Sequence, residues 1–131
     1  MEKVIVTVEM TDNNYSAYLE RLPGCVSTAS TFAELKRNIS EAIEFHLEGM
    51  REEGDVVPLA EYELVYRFDP ESLLRHYNGI FTHAALQRLT GINQRQLQRY
   101  ASGNSKPLDR QAKKISTALH HLGEELLAVE L

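Results

Sequence analysis

The sequence predicts an α+β fold in which a β-β-β-α-β unit, residues 1–68, precedes an all-α unit, residues 69–131. Two observations support this division. Short runs that alternate between apolar and polar residues fill much of the first part, whereas glycine and proline separate helical periods in the second. The charge also changes: the first part holds six basic and thirteen acidic side chains, the second eight basic and six acidic. Parts of such different charge suggest partners of opposite charge.

The whole chain has the composition of a soluble globular protein, with 43% hydrophobic and 25% charged residues over 131 positions. Its N-terminus lacks the apolar run of a signal peptide, and no stretch reaches the roughly 18 apolar residues of a membrane span. Cys25 is the single cysteine, so no internal disulfide can form and a reducing compartment fits best. We expect a cytoplasmic protein.

Three short strands are expected first. Val4, Val6 and Val8 alternate with other residues, which is the mark of a strand with one buried face. Turn residues at 12–14 and at Pro23-Gly24 then separate two further strands. The second and third strands are expected at residues 15–20 and 25–29.

A helix and a fourth strand complete the first unit. Apolar residues recur at helical spacing between residues 31 and 53. Thr31 and Glu34 form the pattern of a capping box, and Gly54 suits a left-handed helix end. The fourth strand is expected where aromatic and aliphatic residues alternate with polar ones, at Tyr62, Leu64, Tyr66 and Phe68.

Within this unit a fairly specific pattern runs along the third strand and the helix. Its residues are Leu22-Pro23-Gly24-Cys25-Val26-Ser27, Thr31, Glu34, Asn38, Glu41-Ala42-Ile43 and Leu47. The pattern resembles the HicB antitoxins, and the resemblance covers most of residues 3–68. It implies a degenerate RNase H-like fold that binds and masks HicA, a small toxin that cleaves mRNA. Ala29 and Ser30 depart from the family, which usually has a glycine before the threonine.

Catalysis by this unit is not expected. RNase H chemistry requires carboxylates that converge on two divalent metals. The alternation places Glu9, Glu61 and Glu63 on the face opposite the apolar stripes, and Asp12 is explained by its turn. No two of the five histidines are spaced four apart as on a metal-binding helix, and nothing near Cys25 in sequence would activate its thiol. We therefore expect no enzyme activity, no metal site and no cofactor.

The second unit is expected to contain four helices. Asp69 and Pro70 suit the start of a short helix over residues 71–77. The next helix, residues 83–90 after a Thr82 cap, should turn Leu86 and Leu89 inward. After Gly91-Ile92, Asn93 caps a third helix over residues 94–101, with Gln96 placed to complete a capping box. A polar loop at residues 102–107 precedes a final helix with apolar residues spaced from Ala112 to Leu126.

A second pattern runs through these helices. It consists of Leu86, Gly91-Ile92, Leu97, Tyr100, Gly103 and Pro107. The pattern resembles the lambda repressor/Cro class of helix-turn-helix domains, in which one helix crosses the DNA backbone and the next enters the major groove. Gln87 departs from the class, which prefers a small residue there; a large side chain must lie flat or tilt the helices.

The class assigns contacts by position. Glutamine can bond bidentately to adenine and arginine to guanine, and this stretch is basic: residues 82–121 hold seven basic side chains and one acidic side chain, Asp109. The expected base-reading residues are Gln94, Arg95, Gln98 and Arg99. The expected phosphate-binding residues are Thr82, His83, Asn104, Ser105 and Lys106.

Together the resemblances imply an antitoxin with two activities. It would mask a HicA-like toxin and repress its own operon by binding double-stranded operator DNA as a homodimer or higher homo-oligomer. Two alternatives fit the same layout. One is a stand-alone repressor whose first unit senses a small ligand or mediates oligomerisation; a neighbouring reading frame for a small basic protein would argue against it. The other is an RNase H-like nuclease, which would require metal-dependent cleavage of nucleic acid.

Overall fold

Alternating valines build the central strand of a four-stranded sheet in the computed structural model, which describes residues 1–131. The sheet has the order β3-β2-β1-β4, in which β1 pairs antiparallel with β2 and parallel with β4. β3 and β4 therefore form its two edges. The elements are β1 (Glu2–Met10), β2 (Tyr15–Tyr18), β3 (Val26–Ala29), α1 (Phe32–Glu52) and β4 (Tyr62–Phe68). The predicted order β-β-β-α-β is confirmed.

One face of this sheet packs against α1. Val6 and Val8 are completely buried, and the four apolar residues of the helix stripe are 0% exposed. These four are Leu35, Ile39, Ile43 and Leu47. Burial of each such side chain contributes roughly 1.5–3 kcal/mol, so this layer is the main source of stability in the unit.

The ends of α1 differ in one detail from the expected capping box. Thr31 Oγ1 accepts a hydrogen bond from the Glu34 backbone N–H at 3.1 Å, as predicted. The Glu34 carboxylate instead accepts from Ser30 Oγ at 3.2 Å, so only half of the reciprocal capping box forms. Gly54 has a φ of 79°, which confirms the left-handed turn after the helix.

The second and third strands are shorter than predicted, because β2 ends at Tyr18 and β3 begins at Val26. The segment between them turns over the core. Leu19, Leu22 and Cys25 remain buried there although they lie outside the strands, and the Cys25 N–H donates to the Leu22 carbonyl at 3.0 Å. Period-2 alternation therefore continued past the true ends of the strands.

The contacts within the chain divide it into two units, Met1–Ser72 and Leu73–Leu131. Ser72 is buried in the first unit, where its Oγ accepts from the Met10 N–H at 3.0 Å. The four remaining helices are α2 (Pro70–His76), α3 (His83–Thr90), α4 (Gln94–Ser102) and α5 (Asp109–Leu127). The second core consists of Leu74, Leu86, Ile92, Leu97, Tyr100 and Ile115. None of the helices combines the length and apolarity needed to span a membrane.

The pKa of Tyr62 reports on the contact between β4 and α1. Its hydroxyl donates to Glu44 Oε1. Burial, followed by this hydrogen bond, raises the pKa of Tyr62 from 10.0 to about 12. Because the unfolded phenol ionises near pH 10, this stabilisation is complete below that pH and is lost as the pH rises through about 12.

We expect an ultraviolet absorbance titration of the folded chain to show a late phase from Tyr62. Tyr62→Phe should remove that late phase, whereas Tyr18→Phe, at an exposed tyrosine, should keep it. If the titration of the native protein showed no late phase, the burial of Tyr62 and its hydrogen bond to Glu44 would be contradicted.

Candidate functional site

A tight turn joins α3 to α4. Gly91 adopts a φ of 76° and its N–H donates to the Gln87 carbonyl at 2.8 Å. Thr90, only 6% exposed, donates its hydroxyl to the Leu86 carbonyl at 2.7 Å and accepts from the Ile92 N–H at 3.0 Å. These bonds fix the direction in which the chain leaves α3.

The inward side of α3 differs from the prediction at one position. Leu86 is buried as expected, but the prediction that Leu89 faces inward is wrong, since Leu89 is 37% exposed. Thr90 occupies the buried place instead. A threonine is tolerated there because its hydroxyl has both a donor and an acceptor partner.

The start of α4 is held from two directions. Asn93 Oδ1 accepts from the Arg95 N–H at 2.8 Å, and Gln87 Oε1 reaches across the turn to accept from the Gln94 N–H at 2.9 Å. Gln87 therefore serves as a second cap, which explains why a large residue is accommodated at this position of α3. The predicted capping box with Gln96 is wrong, because Gln96 Nε2 donates to Ser105 Oγ at 3.3 Å.

The four predicted base-reading side chains lie on the solvent side of α4. Gln94, Arg95, Gln98 and Arg99 are all exposed, whereas Leu97 is buried. Positions four apart on a helix share a face, so each glutamine lies beside its counterpart, as does each arginine. No acidic residue occurs in α4. The helix thus presents amide and guanidinium donors on a rigid surface.

The five predicted phosphate-binding residues lie in two places, at the start of α3 and in the loop after α4. Thr82 caps α3 by accepting from the Ala85 N–H at 3.0 Å. His83 is half-buried, and its Nε2 is shielded from solvent without a hydrogen-bond partner. In this conformation His83 Nε2 faces inward and is not available to an anion.

The loop after α4 holds the other three. Gly103 has a φ of 81° and ends the helix, and the Ser105 N–H donates to the Arg99 carbonyl at 3.3 Å. Asn104 and Lys106 are exposed. The bond from Gln96 to Ser105 ties this loop to the helix that carries the arginines. Loop and helix therefore form one polar surface without a carboxylate.

Further positive charge lies beside α3. An open concavity of about 410 Å³ between α3 and α5 is lined by Arg110, Lys113 and Lys114 together with His121. These side chains add to the positive electrostatic field of the helical unit. No group of three His, Cys, Asp or Glu side chains anywhere in the chain is arranged to hold a metal ion.

The first unit has a surface that sequence reasoning missed. Phe45 is 80% exposed on α1, on the side opposite the buried stripe. Its neighbours three and four residues away include Glu41 and Glu48, and Glu52 lies two turns along; all three are exposed. The signal was present in the sequence, because a large aromatic residue interrupts the polar side of an otherwise regular amphipathic helix. We call Phe45 with Glu41, Glu48 and Glu52 the acidic face of α1.

Two glycines of the second unit should respond oppositely to alanine. Gly91 has a left-handed backbone, which costs a residue with a Cβ roughly 1–2 kcal/mol. Gly123 lies inside α5, where an added methyl group would meet open space, so alanine should stabilise the helix by roughly 0.5–1 kcal/mol. Denaturant unfolding checks both. A gain in stability from Gly91→Ala would contradict the turn described here.

The fold is that of a small α+β protein with a sheet unit and a helical unit, each of which presents a charged or polar helix surface. The family model for the HicB-like antitoxin of bacterial toxin–antitoxin systems matches residues 4–72. The chain belongs to this family. Membership implies the antitoxin role in a toxin–antitoxin pair and favours a regulatory rather than an enzymatic function.

Three curated relatives match parts of the chain. An uncharacterised 14.9 kDa protein of Haemophilus phage HP1 is 33% identical over 66 residues, which is 50% of each chain. A UPF0150 protein of Synechocystis is 43% identical over 47 residues, or 36% of this chain and 60% of that protein. A UPF0150 protein of Helicobacter pylori is 45% identical over 40 residues, which is 30% of this chain and 56% of that protein. The chain thus spans between half and three fifths of these relatives.

Proposed function

We propose that this antitoxin acts through two separate surfaces. The acidic face of α1 masks a HicA-like toxin that cleaves mRNA, and the exposed side of α4 binds operator DNA to repress the operon that encodes the pair. The observation that carries the proposal is the joint presence of the antitoxin family match over residues 4–72 and a capped, carboxylate-free helix carrying two exposed arginines outside it.

The acidic face has the chemistry required to mask an RNA-binding protein. A toxin that binds mRNA must present basic side chains, because phosphate charge dominates RNA affinity. Glu41, Glu48 and Glu52 would pair with these, while Phe45 supplies an apolar anchor surrounded by charge. Aromatic anchors with a polar rim are typical of protein interfaces. In this arrangement the toxin is inhibited by occlusion of its RNA surface.

The helical unit would act as a helix-turn-helix domain of the lambda repressor/Cro type. α4 enters the major groove, where Gln94, Arg95 and Arg99 reach base edges and Gln98 plays a secondary part. The N-terminal end of α3, at Thr82 and His83, would meet one phosphate flank, through backbone N–H groups. Asn104, Ser105 and Lys106 would meet the other flank.

A homodimer is part of the proposal, because one small domain makes too few base contacts for tight specific binding. Two copies would cover half-sites about one helical turn apart on a pseudo-palindromic operator. The family match favours this function over a stand-alone repressor that senses a ligand.

Co-expression tests the proposal as a whole. The product of a neighbouring reading frame for a small basic protein should arrest growth when expressed alone, and the present chain should restore growth and co-purify with it. Absence of any such complex, together with repression of the operon by the chain alone, would instead support the stand-alone repressor.

A further inference from the structure

β4 is an unprotected edge of the sheet. Its seven residues pair with β1 along one side only, since the strand order ends at β4. The strand contains no proline, which is a common means of blocking an edge, and its two charged residues, Glu63 and Arg67, have opposite signs. Such a strand offers unpaired N–H and C=O groups along its open side.

The inward side chains of β4 are less covered than those of β1, although Tyr66 packs edge-to-face against Phe32. Leu64 and Tyr66 lie beside Val4 and Val6 in the parallel register. The valines are 1% and 0% exposed, whereas Leu64 and Tyr66 are only half-buried. The apolar layer under the sheet is therefore complete at β1 and incomplete at β4.

The outward side chains are self-complementary. Glu63, Val65 and Arg67 alternate along the strand and all three are exposed. In an antiparallel pair of β4 strands centred on Val65, each Glu63 lies opposite Arg67 of the other copy. Opposite charges directly across an antiparallel pair are stabilising and like charges are destabilising.

Other registers match less well. Centring the pair on residue 63 or 67 places two like charges opposite each other, and centring it on residue 64 or 66 places a charge opposite Val65. On the inward side, the Val65 register sets Leu64 against Tyr66 and Tyr62 against Phe68. Charge and apolar matching therefore select the same alignment.

We infer that two copies of this chain associate through their β4 edges, antiparallel and centred on Val65, to form one continuous eight-stranded sheet. The symmetry is two-fold, so every contact occurs twice. This surface is distinct from the acidic face of α1 and from α4. The inference does not depend on either proposed activity.

Cysteine cross-linking tests the register in the full-length protein. Val65→Cys places two thiols opposite each other, within the Cα separation that a disulfide requires. Glu63→Cys is the matched control, because in this register the two copies of residue 63 are about four residues, or about 13 Å, apart along the strands. Cys25 is buried and free, so both variants retain it. A covalent dimer is expected for Val65→Cys alone; equal cross-linking of both variants, or of neither, would overturn the inference.

A charge swap tests the same contact energetically. Glu63→Arg and Arg67→Glu each place like charges opposite each other twice, and should weaken dimerisation about tenfold. The double variant restores opposite charges and should recover the affinity, as measured by sedimentation equilibrium. If single variants keep the dimer but lose toxin capture, the edge binds the toxin and not a second copy. If the single variants change neither dimerisation nor toxin capture, another surface holds the dimer. Each of these two results would contradict the inference.

Discussion

Replacing Arg95 and Arg99 together by alanine should abolish specific operator binding while leaving toxin neutralisation intact. Both guanidinium groups are exposed on α4, where no acidic side chain offers an alternative partner. A bidentate contact from arginine to guanine contributes roughly 1–3 kcal/mol of discrimination, so each loss should lower specific affinity by roughly 5- to 150-fold. Fluorescence anisotropy with labelled operator and with a shuffled duplex measures the difference.

Lys113→Ala provides a control for charge. This exposed residue also belongs to the basic unit, but it lies on α5 beside the concavity. Its loss should weaken binding to operator and shuffled DNA alike and reduce the dependence on salt. Equal effects of the arginine and lysine variants on both duplexes would show that α4 supplies charge without reading bases. Loss of toxin neutralisation in the arginine variants would mean that the two activities share one surface.

Phe45→Ala should produce the largest single-residue loss in toxin binding. An aromatic anchor at the centre of an interface typically contributes at least about 2 kcal/mol, which corresponds to roughly 30-fold in affinity. Because Phe45 is 80% exposed in the free chain, its removal should change the free energy of unfolding by less than about 0.5 kcal/mol. Isothermal titration of the toxin into each variant provides the measurement.

Val56→Ala is the matched control for this experiment. Val56 is 89% exposed in the same unit and lies outside the acidic face of α1. The Val56→Ala variant should bind toxin with wild-type affinity. If Phe45→Ala also retained wild-type affinity, the toxin would bind another surface, and the occlusion proposed for α1 would have to be abandoned.

Much of the fold followed from periodicity alone. The alternation of Val4, Val6 and Val8 predicted β1, and the stripe from Leu35 to Leu47 predicted α1, because one buried face imposes a strict period on each. The helix boundaries at Thr82 and Asn93 also followed from local chemistry, since short polar side chains there cap exposed N–H groups.

Contacts that cross a turn could not be predicted in this way. Leu89 and Thr90 are adjacent, and helical spacing alone favours the leucine as the buried residue. The Thr90 hydroxyl is buried because it bridges the end of α3 and Ile92. The role of Gln87 depends likewise on the Gln94 N–H across the turn. Such bonds are fixed by tertiary geometry and leave no local pattern.

Of the candidate surfaces, one could be predicted from the sequence and two could not. The polar side of α4 could be identified from sequence because a glycine turn and caps precede it. The acidic face of α1 was overlooked because its glutamates are what any solvated helix carries; the one signal was Phe45, which interrupts the polar side of the helix and is 80% exposed. The edge position of β4 depends on strand order, which alternation does not specify.

Binding of the purified chain to the DNA upstream of its own reading frame provides the decisive measurement. At low salt, an electrophoretic mobility shift should retard this DNA, and competition should show a preference over shuffled DNA of at least about 1,000-fold. Affinity should fall steeply as salt rises, because Lys and Arg displace counterions from phosphates. If that DNA is not retarded even at low salt, α4 does not read an operator.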